Sequence, residues 1–516
     1  MNKTVCKPEA TPVILATGEA AQKTGDLAQA LEPVQLMAAA MRAAEDDAGA
    51  AILRRLDSIS VLGTVSWRYQ DPAALLCQSL CIEPPRQVKA GMGGEKPLRL
   101  IHEAALAIQS GKAQAIAIVG GESQNAIRKA RREKFRFDWS TRASVADAWG
   151  DLEDTSLGIQ PHVQALGVQR PIHVYSMFEN ALIGALGQTP TESMRWSADI
   201  WSQYAAVAAD NPHAWLREHR NDHAIATISQ HNPMVTFPYT KWMVANDSVN
   251  QAAAVIVTSL AFARSVGARH DQLVFVQEGA AARESSDFLQ RPRLDHSPAM
   301  DVVLDAAADA VGGAQYFDFA ELYSCFPVVP KLALSRLQRL GMRQAVPPTV
   351  TGGLTFFGGP MNNYMTHATC AMVRRLRTAT DTTGLLYGQG GVMTKHHGLV
   401  LSSKPPTRQL SHQYSVQEAA DAIRADSPRV IDAYVGAATV ETYATYFDRG
   451  GQPERGVVVL RSIDGDRLIA GVAPEDSHTI DLLTDFNASA VGAVGMVSER
   501  NGQLCWRAMR DDPVAL

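Results

Sequence analysis

Cysteine is scarce: six in 516 residues, namely Cys6, Cys77, Cys81, Cys325, Cys370 and Cys505. They are too few and too scattered for a disulfide framework, which points to reduced thiols and a cytoplasmic protein. No apolar run reaches the roughly 18 to 20 residues that span a bilayer. The first residues hold a lysine pair around a cysteine and no apolar segment before Pro12, so they do not read as a signal peptide. Nor is there a large excess of one charge. Lys plus Arg number 48 against 53 Asp plus Glu, a net charge of −5, which argues against nucleic acid as a main partner. Hydrophobic residues at 46% and charged residues at 20% exclude wholesale disorder, collagen and coiled coil. At roughly 150 residues per domain, the length allows about three domains.

What is present is an α/β rhythm. Thr11–Ala16 reads as a buried strand, and a long helical pattern runs from about Leu27 to Arg55. Ile59–Leu62 reads as a second strand. Leu98–Gln109 has helix-spaced apolar positions stopped by Gly111, and Ala113–Val119 follows as a near-continuous apolar strand. Strand, helix and strand in this order predict a parallel sheet covered on both faces. Residues from about 125 to 230 break the pattern and read as an inserted lobe. The rhythm resumes with Asn250–Leu260 and runs to about 402, giving two α/β halves of similar order. Paired prolines at Pro405 and Pro406 mark a linker. Beyond it, short alternating strands with Gly and Asp turns predict a small β-barrel.

Five stretches taken together resemble the thiolase superfamily, in particular its thiolase-like protein type 1 branch, usually labelled acetyl-CoA acetyltransferase. They are Gly91–Gly94 opening the helix to Gly111, with AIAIVGGES at 115–123; HNPMVTFPYTKWMVANDSVNQAAAVIVTS at 231–259; ELYSCFP at 321–327; TGGLTFFGGPMNNYMTHA at 351–368; and LLYGQGGVMTKHHGLVLS at 385–402. The resemblance implies a duplicated βαβαβαββ core in five layers, helix, sheet, helix, sheet, helix. It divides the chain into an N-terminal half at 1–270 with an inserted loop domain at about 125–230, a C-terminal half at 271–403, a linker at 404–414, and an additional OB-like barrel at 415–516. It also implies coenzyme A or an acyl-CoA as ligand, held by the loop domain.

A thiolase breaks or makes a carbon–carbon bond through a cysteine that carries the acyl group. The cysteine sits at a helix N-terminus, where its pKa falls. The resemblance places that cysteine at Gly94, the activating histidine at Gly359 and the second cysteine at Gly388. No cysteine lies between Cys81 and Cys325, so a shifted alignment does not restore the nucleophile.

Other side chains remain as candidates. Tyr323 stands where the family has a histidine that helps build an oxyanion hole, and its hydroxyl can donate a hydrogen bond. Asn363 follows Pro360 in the acyl-site stretch, and His367 lies one helical turn on. His396 belongs to the Lys395–His397 cluster. Cys325 reads as a packed small residue. In the inserted lobe a basic run includes Arg128, Arg131 and Arg132, suited to the phosphates of coenzyme A; Lys241 and Ser248 are further candidate contacts. His219 and His223 lack a third ligand, so no metal site is expected.

Two functions compete. One is non-standard acyl transfer or carbon–carbon cleavage on an acyl-CoA, with no acyl-enzyme. The other is a pseudo-thiolase that binds acyl-CoA without turning it over. A homodimer is open, since the superfamily often pairs through its core sheets and an extra domain could block that surface.

Overall fold

The computed structural model describes residues 8–144 and 157–509; Cys6 and part of the inserted loop domain lie outside them. The first half runs β1 (Pro12–Ala21), α1 (Pro33–Ala48), β2 (Ser58–Val61), α2 (Pro72–Leu80), β3 (Arg86–Lys89), α3 (Lys96–Gln109) and β4 (Ala115–Ser123). The inserted lobe follows, with α4 (Gln124–Glu133), α5 (Pro171–Leu186), α6 (Pro190–Asp210) and a short hairpin of β5 (Met234–Thr236) and β6 (Tyr239–Thr240). The strand β7 (Asn250–Ser259) closes the half. The second half follows a similar order, with no third strand among its described residues: β8 (Val274–Arg283), α7 (Pro298–Val311), β9 (Phe319–Leu322), α8 (Val328–Arg339), α9 (Tyr364–Thr378), β10 (Thr383–Gly390) and β11 (Lys395–Ser402).

One continuous sheet has the order β3-β2-β4-β7-β1-β8-β11-β10-β9, and β1 and β8 join its two halves back to back. Helices α3 and α9 pack between the two half-sheets. The outer helices α1 and α2 cover one side, and α7 and α8 the other. This gives the five-layer thiolase-like core. Every residue of β4 and of β7 is buried, as sheets covered on both faces require. Gly18 shows how tightly the layers pack: a Cβ there would lie 2.0 Å from the Ala40 carbonyl oxygen of α1.

Three details depart from the sequence pattern. The sheet is mixed rather than parallel: β2 runs parallel to β3 and β4, and β10 to β9, while the pairings that involve β7, β1, β8 and β11 are antiparallel. The first helix covers Pro33–Ala48 rather than Leu27–Arg55. Pro33 sits at its first turn, and Gly49 ends it in the left-handed conformation at φ 66°. Short 3₁₀ turns flank it at Leu27–Gln29 and Leu53–Arg55. The second half also lacks the third strand of the βαβαβαββ order among the described residues. Pro347 and Pro348 have no N–H to give a ladder, and Gly352 and Gly353 take φ 108° and 73° into a π turn at Gly353–Phe357.

Past residues 403–414, which carry no helix or strand, come β12 (Gly436–Phe447), β13 (Pro453–Ser462), β14 (Arg467–Val472), α10 (Ser477–Leu483), β15 (Val494–Arg500) and β16 (Gln503–Ala508). The strands close as β12-β13-β14-β16-β15 and back to β12, with β14 parallel to β16. This is a closed five-stranded barrel of OB-like order. It is not a loose appendage: Thr236 of β5 pairs with Tyr446 of β12, and the Asn180 amide of α5 donates to Tyr443 O at 2.9 Å.

No helix among the described residues is long and apolar enough to cross a membrane. The sheet's free edge at β3 is only four residues long and exposes Arg86, Gln87 and Lys89, features that disfavour strand addition.

Candidate active site

Three glycine-bearing loops meet at one end of the core. Gly93 and Gly94 lead into α3, Gly358 and Gly359 precede α9, and Gly390 and Gly391 end β10. Between them lies a cavity of about 560 Å³, walled also by Tyr323, Cys325, Asn362 and Gln389. The segment 323–326 turns from β9 into α8 and supplies two of these side chains.

Tyr323 governs the space. Its ring packs edge-on against Tyr364, with centroids 5.7 Å apart. A Cβ built on Gly94 would lie 2.5 Å from the Tyr323 hydroxyl oxygen and 2.4 Å from the Gln389 carbonyl oxygen. The phenol therefore occupies the place that any side chain at 94 would need. Burial, aided by Cys325 and Glu95, lifts its pKa well above the ordinary tyrosine value, so the hydroxyl is a neutral donor at physiological pH.

Cys325 is the one cysteine that lines this cavity among the described residues. The Gln389 side-chain amide donates to its sulfur at 3.3 Å and to the Tyr175 hydroxyl at 2.7 Å. Burial pushes its thiol up to about 12, which leaves little thiolate at neutral pH. Gly359 also lines the cavity and has room for a side chain, since a Cβ there would meet nothing nearer than 3.4 Å. Gly388 instead packs under Leu98 and Met365, with a Cβ 3.1 to 3.2 Å from them.

The remaining candidates disperse. Asn363 donates to Gly120 O at 2.7 Å beneath β4 and does not border the cavity. Its neighbour Asn362 does. It accepts from Gly93 N at 2.9 Å and donates to Gly63 O at 2.8 Å, so it holds the loop before α3. His367 is tied to Glu19 of β1 at 2.6 Å, away from the cavity. Burial raises the Glu19 pKa, but His367, Arg374 and His213 outweigh it and hold it at about 2. Tyr364 is likewise engaged, donating to Glu321 at 2.6 Å. His396 turns toward the outer layer, with Tyr387 at 2.7 Å and Met393 O at 3.1 Å; burial lowers its pKa to about 4. It borders a neighbouring cavity of about 770 Å³ under the 412–418 segment, and Lys395 lines both.

At the mouth, two guanidinium groups face the opening: Arg128, bonded to Asp247 at 2.5 Å, and Arg170. Arg170 lies at the N-cap of α5, and nothing in its sequence setting marks it. Arg131 and Arg132 are exposed along α4 and do not line the cavity. Lys241 lies over the Trp242 ring at 5.2 Å, and Ser248 accepts from Asn125 at 3.2 Å; neither lines it.

Comparison with known proteins agrees with this architecture. A family model described as thiolase-like protein type 1 additional C-terminal domain matches residues 415–501. A monomeric SCP2-thiolase like protein type 1 from Mycobacterium smegmatis superposes with a TM-score of 0.80 at 24% identity, covering 97% of this chain and 99% of the other. The Ltp2-ChsH2(DUF35) aldolase gives 0.56 at 17% identity, covering 77% and 98%. Human mitochondrial 3-ketoacyl-CoA thiolase in complex with CoA gives 0.53 at 16%, covering 77% and 99%. No curated protein sequence matches the chain significantly.

Proposed function

From a chain that has the thiolase-like fold and ends in the additional C-terminal domain of thiolase-like protein type 1, we propose that it handles acyl-CoA thioesters without forming an acyl-enzyme. The observation that carries this reading is the Tyr323 phenol in the space beside Gly94. With that space filled, the position at the head of α3 has no room to present a nucleophile. The reaction this leaves is cleavage or formation of a carbon–carbon bond next to the thioester, as in a retro-aldol step. A base takes the β-hydroxyl proton, the bond between the α and β carbons breaks, and a carbonyl product leaves. The thioester enolate then takes up a proton. Tyr323 would donate to the thioester oxygen, where negative charge develops, and Arg128 and Arg170 would attract the phosphates of coenzyme A. Likeness in fold to an aldolase and to a thiolase holding CoA supports this choice of chemistry.

A second reading, a binder that does not turn its ligand over, is favoured by one observation. Tyr323 and Cys325 are both protonated at neutral pH and neither is a ready base.

Calorimetric titration separates the role of Tyr323 from mere packing. Tyr323→Phe should weaken acetoacetyl-CoA binding by about tenfold, as loss of one hydrogen bond to a carbonyl would, and leave free CoA affinity unchanged. Equal affinities for the thioester before and after the substitution would overturn the role given to this hydroxyl. Release of an aldehyde or ketone from a β-hydroxyacyl-CoA would decide for the lyase, and intact substrate beside measurable binding for the binder.

A further inference from the structure

We propose that the C-terminal barrel positions the wall of the cavity, through Arg467 and the loop that carries Arg291. Arg467 lies on β14, and its side chain is fully buried against the 289–292 segment. It pairs with Glu441 at 2.5 Å. Its guanidinium also donates to the carbonyls of Leu289 at 2.6 Å, Arg291, and Pro292 at 3.2 Å. These carbonyls belong to the second half of the core. A planar guanidinium is suited to gripping three carbonyls and a carboxylate at once.

The gripped loop is bonded to a segment of the cavity wall. Arg291 is itself buried, and its guanidinium donates to Val392 O at 2.5 Å and lies 4.9 Å from the centre of the Phe178 ring. Val392 follows Gly390 and Gly391, which line the cavity. The next residue, Met393, donates its N–H to Gln389 Oε1 at 3.1 Å, and Gln389 in turn donates to the Cys325 sulfur. An unbroken run of bonds thus links the barrel to a cavity-lining thiol.

A control is built into the same strand pair. Arg461 also pairs with Glu441, at 2.8 and 2.9 Å, but its remaining bond goes to Gly465 within the barrel. It shares Arg467's ion pair and lacks its grip on the core.

The inference needs only the cavity and not the ligand proposed for it. It is tested in the full chain by the rate of iodoacetamide modification of Cys325, read by peptide mass spectrometry. Cys370, fully buried in α9, reports global opening in the same digest. Arg467→Met should speed Cys325 labelling by about fivefold or more while Cys370 stays slow, because only the local wall is freed. Arg461→Met should leave both rates unchanged. Arg467→Lys keeps the charge and cannot span the carbonyls, so it should fall between, and it serves if the methionine variant does not fold. An unchanged Cys325 rate would overturn the proposal. So would a rise in step with Cys370, or an equal rise in Arg461→Met.

Discussion

Gly94→Cys, which places a cysteine where the resemblance to thiolases would put the nucleophile, should cost stability and yield no acyl-enzyme. The new Cβ would sit 2.4 Å from the Gln389 carbonyl and 2.5 Å from the Tyr323 hydroxyl. The first is strand backbone, and the second ends a ring held against Tyr364. Neither yields cheaply, so overpacking of about 3 kcal/mol is expected in denaturant unfolding. The strain is steric, since the space is occupied. It follows that Gly94→Cys combined with Tyr323→Ala should be more stable than the sum of the two single changes predicts, because the phenol's departure removes one of the two clashes and leaves the Gln389 carbonyl as the other. Additive losses would mean that the phenol and the residue at 94 do not compete for one volume.

Lys331→Met should be about as damaging for a different reason. Lys331 of α8 and Glu179 of α5 are both fully buried and form an ion pair between the core and the inserted lobe. The ammonium also donates to Ser193 O at 2.9 Å and Ser193 Oγ at 2.8 Å. Glu179 accepts further from Ser193 at 2.6 Å and from the Tyr239 hydroxyl at 2.7 Å. Burial lowers the Lys331 pKa, and the Glu179 carboxylate beside it offsets only part of that. Removing the lysine strands a carboxylate in the interior, at a cost of about 3–5 kcal/mol. Lys331→Met with Glu179→Leu should recover most of that loss, since an apolar pair of similar size leaves no charge behind. A loss under about 1 kcal/mol for the single variant would show that water reaches the pair.

The order of the core was readable in the sequence because its strands are buried on both faces and its helices carry one apolar stripe. Asn250–Ser259 and Lys96–Gln109 are of this kind. Helix ends were less so: a pattern of Ala and Leu from 27 to 55 continues past the points where Pro33 and Gly49 set the limits. The site residues were harder still, because the sequence does not say which way a side chain turns. Asn363, at the N-cap of α9, meets β4, and His367, one turn on, meets β1; neither borders the cavity. Adjacent residues of β11 alternate between faces, so His396 meets Tyr387 while His397 meets His102 at 3.2 Å. Tyr323 and Arg128 do border the cavity. Arg170 and Gln389 emerged only once distant segments were brought together, whereas Asn362 belongs with Asn363 to the stretch after Pro360 that the resemblance marks.

The most direct measurement is native mass spectrometry of the intact chain with acetoacetyl-CoA, followed by denaturation of the same sample. Acyl-CoA handling without an acyl-enzyme predicts a one-to-one complex in the native spectrum and the mass of the bare chain after denaturation. An acetyl or acetoacetyl mass that survives denaturation would contradict it by revealing an acyl-enzyme. Absence of any complex in the native spectrum would contradict it by removing the acyl-CoA from the cavity.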